Sequence, residues 1–309
     1  MLVNKSDKIF VAGHKGLVGK SIINVLKKRG FNNILVVDKK KVNLTDQKLT
    51  FNFLKKHKPK FVFISAAIVG GIHANNIYRA KFLYENLAIQ NNIIHGCYLA
   101  GIKRLIFLGS SCIYPRNSKQ PIKEKYLLSG SLEKTNEPYA IAKIAGVKLC
   151  ETYNYQYKTD YKCIMPCNAF GPGDNYHKQN SHFLPALIRK IHEIKIGKEK
   201  NLKLWGTGKP KREFIYVEDL ADACVYFMNK KTKESLINIG TGKDYTILET
   251  AKLALKVLNV KCKIIFDQKK IDGTPRKVLD ISLARNLGWK SKTSLKEGLH
   301  KTYNSYLKN

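Results

Sequence analysis

A tyrosine and a lysine four positions apart, Tyr139 and Lys143, follow Pro138 near the middle of the chain. Proline is favoured in the first turn of a helix, and a spacing of four puts both side chains on one face, about 6 Å apart along the axis. A nearby ammonium group lowers the pKa of a phenol, so Tyr139 could exchange protons near neutral pH. Such pairs are also common on purely structural helices, so the pair alone leaves both interpretations open.

Ser110 is the next candidate. It follows an apolar run, 105–109, that predicts a strand, and ligands of open α/β sheets bind beyond the carboxyl ends of the strands. There its hydroxyl group could hold a substrate carbonyl while Tyr139 protonates it. A glycine-rich turn, a serine and then Tyr-x-x-x-Lys, in this order, form a more specific pattern than any one of the three.

The glycine-rich turn lies between the first predicted strand and the first predicted helix and has the spacing G-x-x-G-x-x-G. Its residues are Gly13, His14, Lys15, Gly16, Leu17, Val18 and Gly19. In such a unit the first glycine allows a tight turn, the second lets the backbone approach a pyrophosphate, and the third lets the helix pack on the strand. Free N–H groups and the positive end of the dipole favour phosphate at the helix N-terminus. The turn therefore predicts a bound dinucleotide.

The residues after the second predicted strand bear on which dinucleotide binds. Asp38 could accept the ribose hydroxyls of NAD, whereas Lys15, Lys39 and Lys40 would attract the 2′-phosphate of NADP. Three cations against one anion favour NADP (NADPH), with NADH as a weaker substitute. The alternative is that the lysines at 39–41 merely belong to the general lysine excess.

Strands and helices alternate along the first half of the chain. Strands are predicted at 8–12, 34–38, 61–65 and 105–109, and helices at 17–29, 45–57 and 80–99. Near-continuous apolar strands separated by helices indicate a parallel sheet covered on both faces. The predicted fold class is α/β, a doubly wound parallel sheet (Rossmann) with a smaller α/β substrate lobe on the C-terminal side. We expect the dinucleotide-binding domain at 1–170 and a predominantly substrate-binding lobe at 171–309, with an approximate boundary that the chain could cross back over.

The composition excludes several classes of protein. The 309 residues are 44% hydrophobic and 26% charged, which is a globular balance rather than a disordered or fibrous one. No apolar run reaches the ~18 residues of a membrane span, and the N-terminus lacks the apolar core of a signal peptide, so a cytoplasmic protein is expected. The seven scattered cysteines predict neither a disulfide framework nor a metal site.

The net charge is +33, from 56 basic and 23 acidic residues, and only eight of the basic residues are arginine. Lysines spread along the whole chain predict a solvated basic surface rather than a nucleic-acid or membrane site, because arginine is preferred where phosphates are gripped in a planar fork. A polyanion-binding protein that has kept an inactive dinucleotide-binding fold is the rival from another class, and the intact Ser110, Tyr139 and Lys143 count against it.

Several motifs carry a resemblance that covers nearly the whole chain. They are the glycine-rich turn, Val69-Gly70-Gly71-Ile72, Gly109-Ser110-Ser111-Cys112-Ile113-Tyr114-Pro115, Thr135-Asn136-Glu137-Pro138 before Tyr139, Asn180-Ser181-His182, Arg212-Glu213-Phe214, and Asp272-Gly273-Thr274-Pro275-Arg276-Lys277. With them the chain resembles the extended short-chain dehydrogenase/reductase family that acts on nucleotide sugars. Ser-Ser-Cys together with Asn-Ser-His is the most discriminating part of the match.

The resemblance implies a two-part reaction on GDP-4-keto-6-deoxy-D-mannose. Epimerisation at C3 and C5 precedes reduction of the C4 ketone by NADPH, and the product is GDP-L-fucose. A C4 ketone acidifies the hydrogens on both neighbouring carbons, so one base and one acid can invert both centres. The resemblance implies Cys112 as the base and His182 as the acid, although Cys112 could be simple packing and His182 could cap a helix or face solvent.

The resemblance also implies binding residues. For the cofactor they are the seven residues of the turn with Lys39, Leu108, Gly109, Lys143, Pro166, Asn168 and His182. For the substrate they are Lys190, Trp205, Arg212 and Asp272, to which we add Arg276 because it is near Asp272 in the sequence. Arg212 suits a diphosphate because its guanidinium group can bind two oxygens. Trp205 could instead pack in the core of the second lobe.

The sequence also bears on two alternative enzymes with the same fold and on the quaternary state. A 4,6-dehydratase needs an acid/base pair, typically Asp-Glu, where this chain has Ser111 and Cys112, and a plain 4-epimerase needs neither Cys112 nor His182. Fold analogy favours a homodimer built from the helices near 80–100 and 140–157.

Overall fold

A computed structural model describes residues 3–269 and 272–308. The strands in this part of the chain are β1 (Ile9–Ala12), β2 (Ile34–Leu35), β3 (Phe61–Ile64), β4 (Arg104–Leu108), β5 (Asp160–Pro166), β6 (Asn168–Phe170), β7 (Leu202–Trp205), β8 (Lys211–Tyr216), β9 (Leu236–Ile239), β10 (Asp244–Thr246), β11 (Ile264–Asp267) and β12 (Arg276–Lys277). The helices are α1 (Leu17–Lys28), α2 (Gln47–His57), α3 (Ile72–Ile77), α4 (Arg79–Leu99), α5 (Glu137–Tyr157), α6 (Phe183–Lys195), α7 (Val217–Met228), α8 (Ile247–Leu258), α9 (Ser282–Asn286) and α10 (Leu295–Tyr306).

Six strands form one parallel sheet in the order β2-β1-β3-β4-β5-β9. Every residue of β1 and β3 is buried, as expected for strands that helices cover on both faces. The doubly wound α/β fold predicted from the sequence is confirmed. Parallel strands align their carboxyl ends, so the loops after β1, β3, β4 and β5 meet at one edge of the sheet.

A smaller second core lies beyond residue 170. In it β10, β12 and β6 pair with β8, while β11 pairs with β7. The side chains of α6, α8 and α10 pack there around Phe214 and Tyr216. The chain also crosses back, because β9 joins the six-stranded sheet and the buried residues of α7 and of the segment 279–289 belong to the first core. A substrate lobe at 171–309 therefore remains a prediction that does not hold for these three segments.

The N-termini of the helices differ in how they are capped. Thr246 and Ser294 begin α8 and α10 with capping boxes, which satisfy the free N–H groups of the first turn. No side chain caps α1 or α6. Among the described residues, no helix is long and apolar enough to cross a membrane.

The second strand is shorter than its sequence predicts. It ends at Leu35 rather than at Asp38, because the carbonyl of Asp38 accepts hydrogen bonds from the amides of Lys41 and Val42 and turns the chain. Asp38 therefore lies in a turn beside the glycine-rich loop, a position from which its carboxylate contacts that loop.

Candidate active site

The glycine-rich turn forms an open cradle after β1. Gly13 has φ +85°, and a Cβ atom there would lie 2.5 Å from the amide nitrogen of Ala66, in the loop after β3. Gly16 is exposed at the N-cap of α1, where a Cβ atom would meet only the carbonyl oxygen of Gly13, at 3.4 Å. Leu17, Val18 and Gly19 then form a first turn with no acidic residue and no side-chain cap. The first turn of α1 therefore has uncapped N–H groups, and the space beneath which they lie would be filled by a side chain at the glycine positions. Such a site suits a pyrophosphate.

Gly13 provides a test of this cradle. Gly13→Ala is expected to lose more stability than Gly101→Ala, since Gly101 also has positive φ but open space around it. The left-handed backbone costs about 1–2 kcal/mol at either site, and the clash with Ala66 adds about 1–3 kcal/mol at Gly13. Urea unfolding of both variants measures the difference, and equal losses would contradict the close approach.

Charged side chains line a cavity of about 450 Å³ beside this cradle. Asp38 lies there with Lys15 and the lysines at 39–41, and Lys15 Nζ is 2.5 Å from Asp38 Oδ1 while His14 Nε2 is 3.5 Å away. The hydrogen bond from Lys15 lowers the pKa of the Asp38 carboxyl group. Lys39 instead lies 3.9 Å from Glu85 of α4. Asp38 is thus partly neutralised, and the cavity keeps an excess of positive charge.

Ser110, Cys112 and Tyr139 come together beyond β4. Ser110 begins a 3₁₀ turn over residues 111–113, and its Oγ atom accepts a hydrogen bond from the Cys112 amide at 3.4 Å. Its side chain also lies close enough to the Cys112 thiol and the Tyr139 phenol to lower the pKa of each. Cys112 and Tyr139 share a small apolar cluster with Ala74 and Phe82. One serine hydroxyl group therefore links the predicted base and the predicted proton donor.

Lys143 is buried one turn along α5 from Tyr139. Its Nζ atom donates a 2.8 Å hydrogen bond to the carbonyl of Leu108 and lies 4.6 Å from the centroid of the Phe107 ring. The Tyr139 ring centroid is 5.7 Å away. Burial lowers the pKa of Lys143 to about 8, so it stays largely protonated at pH 7. Leu108 and Gly109, both predicted to contact the cofactor, form the end of β4 that this hydrogen bond fixes.

The expected depression of the Tyr139 pKa is wrong in direction. Burial raises the pKa of Tyr139, and the nearby Cys112 raises it further, while only the hydrogen bond to Ser110 opposes them. Burial likewise raises the pKa of the Cys112 thiol. Sequence spacing shows the attraction of an i,i+4 ammonium group but not the loss of hydration, and the loss of hydration is larger here.

His182 occupies the N-cap position of α6, and its side chain makes no capping hydrogen bond. The residue is accessible to solvent, yet it lies in a crowded cleft, where partial desolvation lowers the pKa of the imidazole. Gly71 places the loop before α3 against this segment, since a Cβ atom there would be 2.9 Å from the carbonyl oxygen of Ser181. Ala74 on α3 packs in the cluster that contains Cys112. The N-terminal end of α3 thus lies against the segment that precedes His182, and Ala74 of the same helix lies in the cluster that contains Cys112.

Pro166 and Asn168 lie at the same edge of the sheet. Pro166 ends β5 and Asn168 begins β6, where its Nδ2 atom donates a 2.8 Å hydrogen bond to the carbonyl of Glu213. These positions border the loop that carries Ser110, because β5 is the neighbour of β4 in the sheet. They remain candidates for the nicotinamide end of the cofactor.

Three of the predicted substrate residues lie on the second lobe. Trp205 is 59% exposed at the end of β7, so its indole is not part of the core. Lys190 on α6 donates a 2.8 Å hydrogen bond to the carbonyl of Lys203 in the same strand. The guanidinium group of Arg212, on β8, donates a 2.5 Å hydrogen bond to the carbonyl of Thr274, and burial lowers the pKa of Arg212.

The other two predicted substrate residues already have protein partners. The Asp272 carboxylate accepts hydrogen bonds from the amide and the hydroxyl group of Thr207, at 3.0 and 2.7 Å. Arg276 Nε lies 2.6 Å from Asp244 Oδ2 at the exposed face of β10. Arg276 is held away from Cys112, whereas the next residue, Lys277, is an electrostatic neighbour of both Cys112 and Arg212. Lys277 was not predicted from the sequence, although it ends one of the motifs quoted above.

A buried carboxylate joins these segments. The side chain of Glu213 accepts hydrogen bonds from the amides of Thr241 and Gly242, both at 2.6 Å, and of Leu279 at 2.8 Å. Burial raises its pKa to about 7. Glu213 thus ties β8, which carries Arg212, to the chain just after Lys277. Across the described residues, no group of three or more His, Cys, Asp or Glu side chains is arranged to hold a metal ion.

Comparisons with known proteins give consistent results. Residues 9–240 match the model of the NAD dependent epimerase/dehydratase family. The chain is 50% identical to GDP-L-fucose synthase 1 of Arabidopsis thaliana, over 99% of this chain and 95% of the relative, and 46% identical to GDP-L-fucose synthase of Escherichia coli K12, over 98% and 97%. The structure also resembles a GDP-mannoheptose C4 reductase from Campylobacter jejuni solved with NADP bound, with a TM-score of 0.89, 38% identity and 99% of each chain covered.

Proposed function

Because the chain belongs to the NAD-dependent epimerase/dehydratase family, and is 46–50% identical over almost its whole length to synthases of GDP-L-fucose, we propose the following reaction for it. It converts GDP-4-keto-6-deoxy-D-mannose to GDP-L-fucose, by epimerisation at C3 and C5 followed by NADPH-dependent reduction at C4. The observation that carries the proposal is the meeting of Ser110, Cys112 and Tyr139 in one pocket above Lys143.

Epimerisation is assigned to Cys112 and His182. The Cys112 thiolate removes a proton from a carbon next to the ketone, and the charge moves to O4 as an enolate, which the hydroxyl group of Ser110 stabilises. His182 delivers a proton to the opposite face of that carbon. The thiol and the imidazole then exchange protons with solvent before the second centre reacts. Each inverted carbon therefore acquires its hydrogen from water.

Reduction is assigned to Tyr139, Ser110 and Lys143. NADPH, when bound, supplies the hydride that C4 receives. Ser110 holds the ketone oxygen and Tyr139 donates a proton to it. A raised pKa suits this role, because the phenol must remain protonated until O4 becomes an alkoxide. Lys143 holds the end of β4 and would contact the nicotinamide ribose.

Turnover in heavy water tests the assignment. The 4-keto sugar is incubated with the protein and NADPH in D₂O, and the product is examined by mass spectrometry and NMR. Deuterium at both C3 and C5, with hydrogen at C4, is expected. A C4 reductase, such as the structural relative from Campylobacter jejuni, would leave C3 and C5 unlabelled, and a protein that consumed no ketone would refute the proposal.

The nicotinamide cofactor is proposed to be NADP, with NADH as a weaker substitute. Support comes from the positive excess in the cavity beside Gly13 and from the NADP bound to the reductase relative. Asp38 opposes this preference only in part, because Lys15 and His14 already contact its carboxylate. Lys15 and Lys39 would contact the 2′-phosphate as point charges.

Lys15→Met is expected to raise the KM for NADPH about tenfold, which corresponds to about 1.4 kcal/mol. It is expected to leave the KM for NADH unchanged or lower, because the substitution removes a partner of the 2′-phosphate and frees the Asp38 carboxylate. The NADPH effect is expected to shrink in high salt, since Lys15 is exposed. Lys20→Met, on the exposed side of α1, is the matched control. An equal change for both cofactors would contradict the role of Lys15.

A homodimer is proposed through α4 and α5. Both helices are apolar on more than the side that faces the sheet, and Tyr84 and Ile141 are exposed on them. An outer face with large apolar side chains favours coverage by a second copy. Analytical ultracentrifugation would report a mass of about 70 kDa, twice the 35.2 kDa chain, and a monomer at micromolar concentration would contradict it.

A further inference from the structure

The base assigned to epimerisation lies in an unfavourable place for a thiolate. Burial raises the pKa of Cys112, while proton abstraction requires the ionised sulfur. Ala74 and Phe82, which share the apolar cluster with Cys112, carry no charge and cannot stabilise a negative sulfur. The cations near the sulfur come instead from α5 and from the second lobe.

Two lysines are electrostatic neighbours of the Cys112 sulfur, and they differ in their other contacts. Lys143, from α5, is held by the carbonyl of Leu108 and lies over the ring of Phe107. Lys277, from β12, exerts the larger attraction on the thiolate. The remaining groups that face the sulfur are the hydroxyl groups of Ser110 and Tyr139, which are neutral at pH 7.

Hydrogen bonds on both sides of β12 fix the direction of Lys277. On one side β12 pairs in parallel with β8, with Lys277 opposite Arg212. On the other, Ile122 donates its amide to the carbonyl of Val278 at 2.8 Å and accepts from the amide of Asp280 at 2.8 Å. Successive side chains of an extended strand point to opposite faces. Because Arg276 faces outward to its ion pair, Lys277 faces the cleft.

The charged groups around Lys277 show why this position suits a cation. Arg212 lies near it and lowers its pKa, as burial does, whereas Cys112 and Glu133 raise it. Glu133 is fixed in place, since it lies 3.2 Å from the guanidinium group of Arg116 and 3.4 Å from the hydroxyl group of Thr274. Lys277 thus lies between the thiol and the arginine proposed for the diphosphate, with one carboxylate offsetting the two positive charges.

We propose that Lys277 is the positioning residue whose ammonium group holds Cys112 as a thiolate for proton abstraction at C3 and C5. This assignment rests on the proposed epimerase activity. It gives Lys277 a part in epimerisation only, since Tyr139 and Lys143 serve the ketone. It also links β12 of the second lobe to chemistry at the loop after β4.

Alkylation of Cys112 without substrate tests the electrostatic link directly. Iodoacetamide labelling of the Cys112 peptide is followed by mass spectrometry across pH, with half-buried Cys262 as the internal reference. In Lys277→Met the midpoint of the profile is expected to move up by about one pH unit or more, while Lys277→Arg keeps the wild-type midpoint. Lys123→Met removes an exposed lysine 3.9 Å from Asp280 on the same segment and is expected to leave the midpoint unchanged.

Solvent exchange then tests the consequence for the reaction. At pH 7 Lys277→Met is expected to incorporate deuterium at C3 about tenfold more slowly, with the loss recovered at higher pH. If circular dichroism shows that Lys277→Met folds poorly, Lys277→Gln is measured in its place. An unchanged alkylation midpoint in both variants would overturn the assignment of Lys277. Absence of exchange in the wild type would instead overturn the proposed function, and the alkylation result does not depend on it.

Discussion

Replacing Cys112 with alanine is expected to lower deuterium incorporation at C3 and C5 by about 10²–10⁴-fold, the usual contribution of a positioned acid–base group. The reason is specific to epimerisation, because the substitution removes only the thiol, which lies beside Ser110 and Tyr139, while Ser110, Tyr139 and Lys143 remain in place. Reduction of the ketone is expected to continue, and its product keeps the D-configuration at C5. NMR of the product made in D₂O separates the two activities.

The control for this variant is Cys262→Ala, a half-buried thiol outside the site. It is expected to incorporate both deuterium atoms at the wild-type rate. If Cys112→Ala still labelled C3 and C5, the base would be another group. If it lost reduction as strongly as exchange, the substitution would have damaged the pocket and not only removed the base.

The part of this site that local spacing determines could be predicted from the sequence. The distance between Tyr139 and Lys143 follows from helix geometry, and the position of Ser110 follows from the alignment of parallel strands at their carboxyl edge. The glycine at position 13 is also a local requirement, because the tight turn between β1 and α1 holds its φ at +85°. Each of these predictions needed only the order of strands and helices.

The part set by distant pairing could not be predicted. Arg276 and Lys277 are adjacent and both positively charged at pH 7, and only the register of β12 on β8 together with the hydrogen bonds to Ile122 decides which of them faces the cleft. Arg276 was predicted from the sequence, but the structure pairs it with Asp244. The direction of the Tyr139 pKa was missed for a related reason, since burial depends on how many segments pack over the phenol.

Tyr139→Phe is expected to produce the opposite division of activities. Reduction is expected to fall by about 10²–10⁴-fold, because the substitution removes the phenol that lies beside Ser110. The ring stays packed edge-on against Phe82, with centroids 6.3 Å apart, so the fold is expected to persist. Cys112 keeps its neighbours, and the ketone recovered from D₂O is therefore expected to carry deuterium at C3 and C5 although little of it is reduced.

The matched control is Tyr153→Phe, the same change on the same helix at a phenol that hydrogen-bonds His95, and it is expected to reduce the ketone at the wild-type rate. The decisive comparison is between Tyr139→Phe and Cys112→Ala under identical conditions. One pocket is proposed for both activities. The two variants therefore separate epimerisation from reduction only if the Tyr139 hydroxyl group and the Cys112 thiol act on different atoms of the sugar. Parallel loss of exchange and reduction in both variants would show that they do not.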